Sequence, residues 1–197
     1  MGKAREIIEY LDRLGRLTRA VQYAECLNPA QWEALRFLSQ ANRYSRTPGA
    51  LANFLGTTKG TVSQTLSALE EKGFVTRVRS ETDRRCVDLV LTEAGTALMR
   101  QDPLRELEAT VDRLDEAALE RINGMLRDLL QDIQIRNQMR HFGVCWRCDN
   151  VVPLDPERKE ACGYRCGLTG EPIGDAETGK ICMNFEAAGR KRGGIDT

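Results

Sequence analysis

The chain has 197 residues, 41% of them hydrophobic, and its 29 basic side chains balance 29 acidic ones. That length supports one main domain with a core plus a smaller appendage. No run of 18 apolar residues occurs, and residues 1–7 lack the apolar stretch of a signal peptide, so no membrane span is expected and a cytoplasmic location is. Zero net charge at first argues against nucleic acid, but the charge is unevenly placed. Residues 36–90 hold nine Lys and Arg against five Asp and Glu, whereas residues 101–133 hold four Arg against nine acids. A basic segment beside an acidic one suits a domain with one DNA-facing side, and it is equally compatible with ordinary solvated surface.

Residues 3–27 read as a helix, because Ile7, Leu11, Leu14, Leu17 and Val21 recur at spacings of three and four. Asn28-Pro29 is a start signal, with Asn as N-cap and Pro at a first position that needs no amide hydrogen bond. A second helix over about 30–42 turns Trp32, Leu35 and Leu38 inward. Thr47-Pro48 repeats the signal for a short helix over 48–55, which Gly56 ends. Thr58 caps a helix over about 59–72 with Val62, Leu66 and Leu69 as its buried stripe, and Lys72-Gly73 closes it.

Residues 74–79 and 87–91 alternate like strands, and the polar, charged stretch between them makes a hairpin with a basic tip. Thr92 caps a further helix that is interrupted near Asp102-Pro103. Asp115 starts the last long one, running to about 140, with Leu119, Ile122, Leu126, Leu129 and Ile133 as a packing seam. After Phe142 the apolar period stops and Gly, Pro and Cys become frequent. The reading is therefore a first domain over 1–142, a cysteine-rich module over 143–187, and a flexible tail over 188–197.

Two short helices, a tight turn, a third helix and a charged hairpin make a helix-turn-helix with a wing. The third helix fits the major groove and the wing reaches phosphates or the minor groove. Opposite its buried stripe that helix presents Gly60, Gln64 and Ser67, flanked by Thr61, Ser63 and Ala68. Gln64 can pair with an adenine edge, and Gly60 permits close backbone approach. A merely solvated polar face fits the same residues equally well.

The hairpin tip carries Asp83-Arg84-Arg85. Together with Asn28-Pro29-Ala30-Gln31-Trp32, Thr58-Lys59-Gly60-Thr61-Val62-Ser63, Leu69-Glu70-Glu71-Lys72-Gly73-Phe74-Val75 and Leu91-Thr92-Glu93-Ala94-Gly95, it resembles the multiple-antibiotic-resistance regulator (MarR) family of winged-helix repressors over residues 5–140. The resemblance implies a mainly α fold with a small β-wing, a homodimer on a palindromic double-stranded operator, and small aromatic effectors. It also implies that Arg84 or Arg85 enters the minor groove while Asp83 orients it. The DNA-binding set expected is Thr58, Lys59, Gly60, Thr61, Ser63, Gln64, Ser67, Asp83, Arg84 and Arg85. Ser80-Glu81-Thr82 departs from the family pattern, which leaves the wing's geometry there open. Independently, the apolar stripes of the first and last helices exceed what one small winged helix can cover, and both pairing of two copies and packing on each other would cover them.

Of seven cysteines, Cys26 and Cys86 are isolated and read as packing or surface residues. Cys145, Cys148, Cys162, Cys166 and Cys182 fall within 38 residues, which in a reducing compartment reads as metal binding. Cys145, Cys148, Cys162 and Cys166 would form two local pairs, as in a zinc ribbon. Cys145, Cys148, Cys166 and Cys182 give the alternative, C-x2-C-x17-C-x15-C. That spacing resembles high-potential iron–sulfur proteins and the cluster-bearing small subunits of some glycyl-radical enzymes, which implies a [4Fe–4S] cluster in a small, irregular module. The second set is preferred, with zinc as the alternative occupant. His141, the one histidine, is expected at a helix end. With no paired motif for acid–base or nucleophilic chemistry, an enzyme is not expected.

Overall fold

The computed structural model describes residues 2–79, 87–154 and 163–187. Seven helices and one hairpin come first: α1 (Lys3–Ala20), α2 (Pro29–Gln40), α3 (Pro48–Leu55), α4 (Lys59–Glu71), β1 (Val75–Arg79), β2 (Val87–Leu91), α5 (Glu93–Leu98), α6 (Arg105–Val111) and α7 (Glu116–Arg136). The cysteine-rich part then adds β3 (Gly143–Val144), β4 (Val151–Pro153), β5 (Tyr164–Cys166), β6 (Pro172–Ile173), the short α8 (Asp175–Thr178) and β7 (Ile181–Cys182).

The helix starts follow from local chemistry. Asn28 forms a reciprocal capping box with Gln31, and Pro29 occupies the first turn. Thr47, Thr58, Thr92 and Asp115 each accept the amide three residues on. Gly56 and Gly73 supply the left-handed residues, at φ 60° and 73°, that stop α3 and turn the chain after α4. Strands β1 and β2 pair antiparallel, with Val75 opposite Leu91 and Arg79 opposite Val87.

Trp32, Leu35, Phe37, Leu51, Val62, Leu66, Leu69 and Leu89 are fully buried, so α2, α3, α4 and β2 share one core. Helix α4 is thereby fixed on its Val62–Leu66–Leu69 side, and its other side faces out. Helices α1 and α7 contribute no buried residue. Ile7, Tyr10, Leu14 and Leu17 on the first, and Met125, Leu126, Leu130 and Ile133 on the second, are about half exposed within the single chain.

Two boundaries differ from the sequence reading. Helix α1 ends at Ala20 rather than 27, and Glu25 and Cys26 adopt positive φ. No breaker precedes Asn28; the turn is held by tertiary bonds instead. Gln22 is buried, donates to Thr18 O and accepts from Arg36 Nη2 at 2.8 Å, and Trp32 Nε1 reaches Ala24 O. Helix α7 ends at Arg136, short of 140, and Gln138 takes φ 53°. His141 therefore lies past the helix rather than at its end.

The cysteine-rich part is also more ordered than expected. Strands β3 and β7 pair antiparallel, and β4, β5 and β6 form a three-stranded sheet. It folds back onto the chain between α2 and α3. Ala41 bridges Ile181, Asn42 N–H donates to Ile181 O at 2.9 Å, and Met183 N–H donates to Ser45 Oγ at 2.8 Å. Arg43 and Tyr44 hold Glu171, and Arg43 N–H donates to Glu177. Phe142 closes the junction edge-on against Phe37 and Phe54.

Two tie points generate tests. Arg36 Nε donates to Asp102 at 2.7 Å between side chains only 17% and 9% exposed, and it links α2 to both the α1 turn and the start of α6. Truncating one partner strands the other, so Asp102→Ala is expected to lower unfolding free energy by about 2–4 kcal/mol in urea titration. At Gly95 a Cβ would sit 2.1 Å from the Phe74 carbonyl oxygen, which also accepts from Thr92 N–H. Gly95→Ala should cost about 1–3 kcal/mol in the same titration despite the higher helix propensity of Ala.

Candidate nucleic-acid interface and cysteine centre

The α4 residues singled out from sequence lie together on one outward face. Thr58, Lys59, Gly60, Thr61, Ser63 and Gln64 are exposed and Ser67 is half-buried, while Val62, Leu66 and Leu69 are buried. Thr58 Oγ1 caps Thr61 N–H at 3.2 Å and sits 3.0 Å from Thr61 Oγ1, which fixes the helix start that would meet a phosphate or base edge. At Gly60 an added Cβ would meet only Thr58 Oγ1 at 3.7 Å, so nothing within the chain requires a glycine there. Asp83, Arg84 and Arg85 lie outside the described residues, and so does Cys86.

The basic surplus over residues 36–90 has a different meaning from the one its distribution suggested. Arg36 is tied to Asp102, Arg43 to Glu171, Arg46 to the Ala41 carbonyl, Lys72 to the Cys26 carbonyl and Arg77 to Glu70 at 3.1 Å. These cations hold the fold together. Among the described residues of that segment, Lys59 and Arg79 have no such contact.

Behind α2 and α3 the second constellation assembles. Cys145 follows β3, Cys148 follows one tight turn later with its N–H on Cys145 O, Cys166 ends β5, and Cys182 ends β7. Cys145 lies within electrostatic reach of Cys182, Cys148 and Cys166, and a cavity lined by Cys145, Cys166, Cys182 and Asn42 opens between them. Cys162 lies outside the described residues, so its place relative to this set is undescribed, and Cys26 is exposed and distant in sequence.

The electrostatics are those of thiols crowded in a dry place. Burial, then the neighbouring cysteines, push the Cys145 thiol up to about 11. Burial also raises Cys182, even though the Asn42 side chain and the Asn184 backbone hydrogen-bond to it. Glu186 N–H donates to Cys148 Sγ at 3.5 Å. Donors aimed at sulfur stabilise thiolates, and burial opposes them; a metal resolves the conflict by supplying the positive charge.

The donor set, thiols with hydrogen-bond donors beside Cys182 and Cys148, is of the chemistry that holds a metal group. One more orphan agrees: Asn150 Nδ2, in the turn after Cys148, is buried without a hydrogen-bond partner, while its carbonyl accepts from Gly167 N–H beside Cys166. Among the described residues no three His, Cys, Asp or Glu side chains approach closely enough to hold a single ion.

The third constellation is a groove of about 410 Å³ lined by Arg19, Glu33, Arg36, Phe37, Gln40, Phe54 and Leu55. Phe37 and Phe54 form its aromatic floor, with ring centroids 4.7 Å apart. The sequence reading expected an effector site but named no residue for it, because the floor joins α2 to α3 and neither ring has a distinguishing local pattern. Asn42 and Ser45, which meet the cysteine centre, were missed for the same reason: Asn-Arg-Tyr-Ser-Arg reads as an ordinary polar loop.

No helix among the described residues is long and apolar enough to cross a membrane. Comparison with known proteins bears on the first constellation. Residues 27–85 match the model of the MarR family. The chain is 27% identical over 117 residues to the transcriptional repressor MprA of Escherichia coli K12, covering 56% of this chain and 66% of that protein. The structure is similar to Streptococcus pneumoniae FabT in complex with DNA (TM-score 0.53, 25% identity, 67% of this chain and 98% of that one). It is also similar to the S. aureus MepR–DNA complex (TM-score 0.52, 25% identity, 63% and 96%). The winged-helix segment, residues 27–85, is thus similar to the transcriptional regulators of the MarR family.

Proposed function

We propose that this chain is a dimeric, operator-specific transcriptional repressor whose DNA affinity responds to an iron–sulfur cluster, of the [4Fe–4S] type, held by Cys145, Cys148, Cys166 and Cys182. The observation that carries this reading is the cavity that Cys145, Cys166 and Cys182 share with Asn42, Arg43 and Tyr44 between α2 and α3, with Cys148 within electrostatic reach of Cys145 and Cys182. The similar FabT and MepR structures are DNA complexes, and the similar MprA is a repressor, which supports DNA as the partner here.

In this reading Gln64 meets a base edge, Lys59 a phosphate, and Gly60 lets the backbone approach, while Arg84 or Arg85 reaches the minor groove with Asp83 orienting it. The half-exposed apolar residues of α1 and α7 support a two-fold dimer, since pairing two copies removes them from water. Each recognition helix then meets one half-site, about one helical turn apart on a palindromic operator. When bound, a cluster supplies redox chemistry and sensitivity to air and nitric oxide. The chain's own part is to exclude water around Cys145 and Cys182 and to donate N–H groups to the sulfurs. The Phe37–Phe54 groove supports a small aromatic effector as an additional input, because its volume and apolar floor suit a ligand of that class.

Two experiments test the reading. Gln64→Ala should weaken binding to a duplex selected from random DNA by about 1–3 kcal/mol and relax preference at one base position. Lys59→Ala should weaken all sequences alike and reduce the salt dependence by about one counterion. Unchanged selectivity in Gln64→Ala would remove α4 as the reading helix. Protein purified without oxygen should be brown, with about four irons and four sulfides per chain. Serine at Cys145, Cys148, Cys166 or Cys182 should abolish the colour and Cys162→Ser should spare it, while air or nitric oxide should alter operator affinity. Colourless protein with one zinc per chain, or dependence on Cys162 in place of Cys182, would make the module a zinc staple instead.

A further inference from the structure

Asn42 is 3% exposed, a costly place for an amide unless both its groups are paired. Its oxygen accepts from Ser45 Oγ at 2.7 Å, which orients the amide and commits Nδ2 to the other side. There the side chain lies beside the Cys182 thiol and lowers its pKa against the effect of burial, on the wall of the cavity that Cys145 and Cys166 also line. An amide N–H meeting a sulfur can only donate. Ser45 is itself fully buried and accepts from Met183 N–H, and Asn42 N–H donates to Ile181 O. The residues on both sides of Cys182 are therefore held by Asn42 and Ser45.

The same segment is anchored in the DNA-binding lobe. Arg46 O accepts from Leu89 N–H at 2.7 Å, in the wing strand β2, and the next residue, Thr47, caps α3. Five consecutive residues thus touch a cysteine of the centre at one end and the wing and the helix-turn-helix at the other. Helix α7, by contrast, ends at Arg136 and has no buried residue through which to act on the core.

We infer that Asn42 is a positioning residue for the Cys182 sulfur, and that residues 42–46 couple the cysteine centre to the wing and to α3. This rests on the metal-centred function proposed above. A donor on a ligating sulfur draws off electron density and favours the reduced state of the group it holds, so its loss lowers the reduction potential. A change in the position of Cys182 is passed through Asn42 and Ser45 to the Arg46–Leu89 bond and so to the wing.

The test uses the full chain, loaded with ferrous iron and sulfide without oxygen, as wild type, Asn42→Ala, Ser45→Ala and the double variant. Redox titration followed by visible absorption should show Asn42→Ala retaining its iron while its reduced-to-oxidised ratio at fixed potential falls about tenfold, which is about 59 mV for a one-electron group. Ser45→Ala should shift the same way, and the double variant should equal Asn42→Ala, because both changes break one chain of bonds. The affinity ratio for a selected duplex between loaded and stripped protein should fall to within about twofold of one in Asn42→Ala. An unchanged potential in an iron-retaining Asn42→Ala overturns the positioning role, additive shifts overturn the Ser45 relay, and an unchanged affinity ratio overturns the coupling. Should Asn42→Ala fail to fold, Ser45→Ala alone decides.

Loading with cobalt(II) separates this inference from the cluster assignment. A chain that takes cobalt but no iron and sulfide rejects the cluster, and the thiolate-to-cobalt absorption band then decides on Asn42: displaced in Asn42→Ala it supports the contact, undisplaced it overturns it. A chain that takes neither overturns both.

Discussion

The constraint on which the structure turns is the hydrogen bonding of the short buried segment between α2 and α3. Ala41 and Ser45 are fully buried and Asn42 nearly so, yet the chain there is neither helix nor continuous strand. Buried backbone groups outside regular structure must find partners, since an unpaired one costs as much as a lost hydrogen bond. Those partners come from two distant places in the sequence. Ile181 and Met183 arrive from the cysteine-rich end, and Leu89 arrives from the wing. Without them the corner of the helix-turn-helix would carry unsatisfied polar groups in its core. The cysteine-rich part is therefore part of how the winged-helix lobe completes itself.

That dependence is mutual. The segment around Cys182 gains from Asn42 and Ser45 the donors and the acceptor it lacks, while Arg43 and Tyr44 grip Glu171. The Arg43 N–H and Lys180 bonds hold the Glu177 carboxyl below its ordinary range despite burial, which by itself would raise it. A carboxylate stabilised in the folded state contributes above the usual carboxylate range and loses that contribution as pH falls. Docking of the module is thus charge-dependent on its rim and hydrogen-bonded at its centre, with the Cys145 and Cys182 thiols, both raised by burial, beneath.

The charge pattern teaches a narrower lesson. A surplus of cations over residues 36–90 suggests a DNA-facing side, and the fold leaves one face of α4 exposed. Most of those cations nevertheless serve internal ties: Arg36 at 17% exposure joins three helices, and Lys72 and Arg77 bind α4 to its neighbours. Distribution along the chain says how much charge a segment holds and nothing about which way each side chain turns, because that depends on the acid or carbonyl that folding brings alongside.

Much of the fold was legible because its signals are local. Asn28-Pro29, Thr47-Pro48, Thr58 and Asp115 cap the helices that they predict, and the period of Val62, Leu66 and Leu69 alone determines which side of α4 is buried and so places Gln64 and Gly60 outside. Of the four cysteines chosen by their spacing, Cys145, Cys166 and Cys182 line one cavity, and Cys148 lies within electrostatic reach of Cys145. The end of α1 at Ala20 was not legible, because Gln22 leaves the helix to meet Arg36 rather than at any breaker. Nor was the docking of the module, because Asn42 and Ser45 gain their meaning only from Cys182 and Met183, some 140 residues away. What the sequence by itself determined was each element and its inward face, since caps and periodicity act within a few residues. Where the cysteine centre sits, and which residues it touches, only the tertiary structure decided, since a buried polar loop takes its partners from wherever the chain can return.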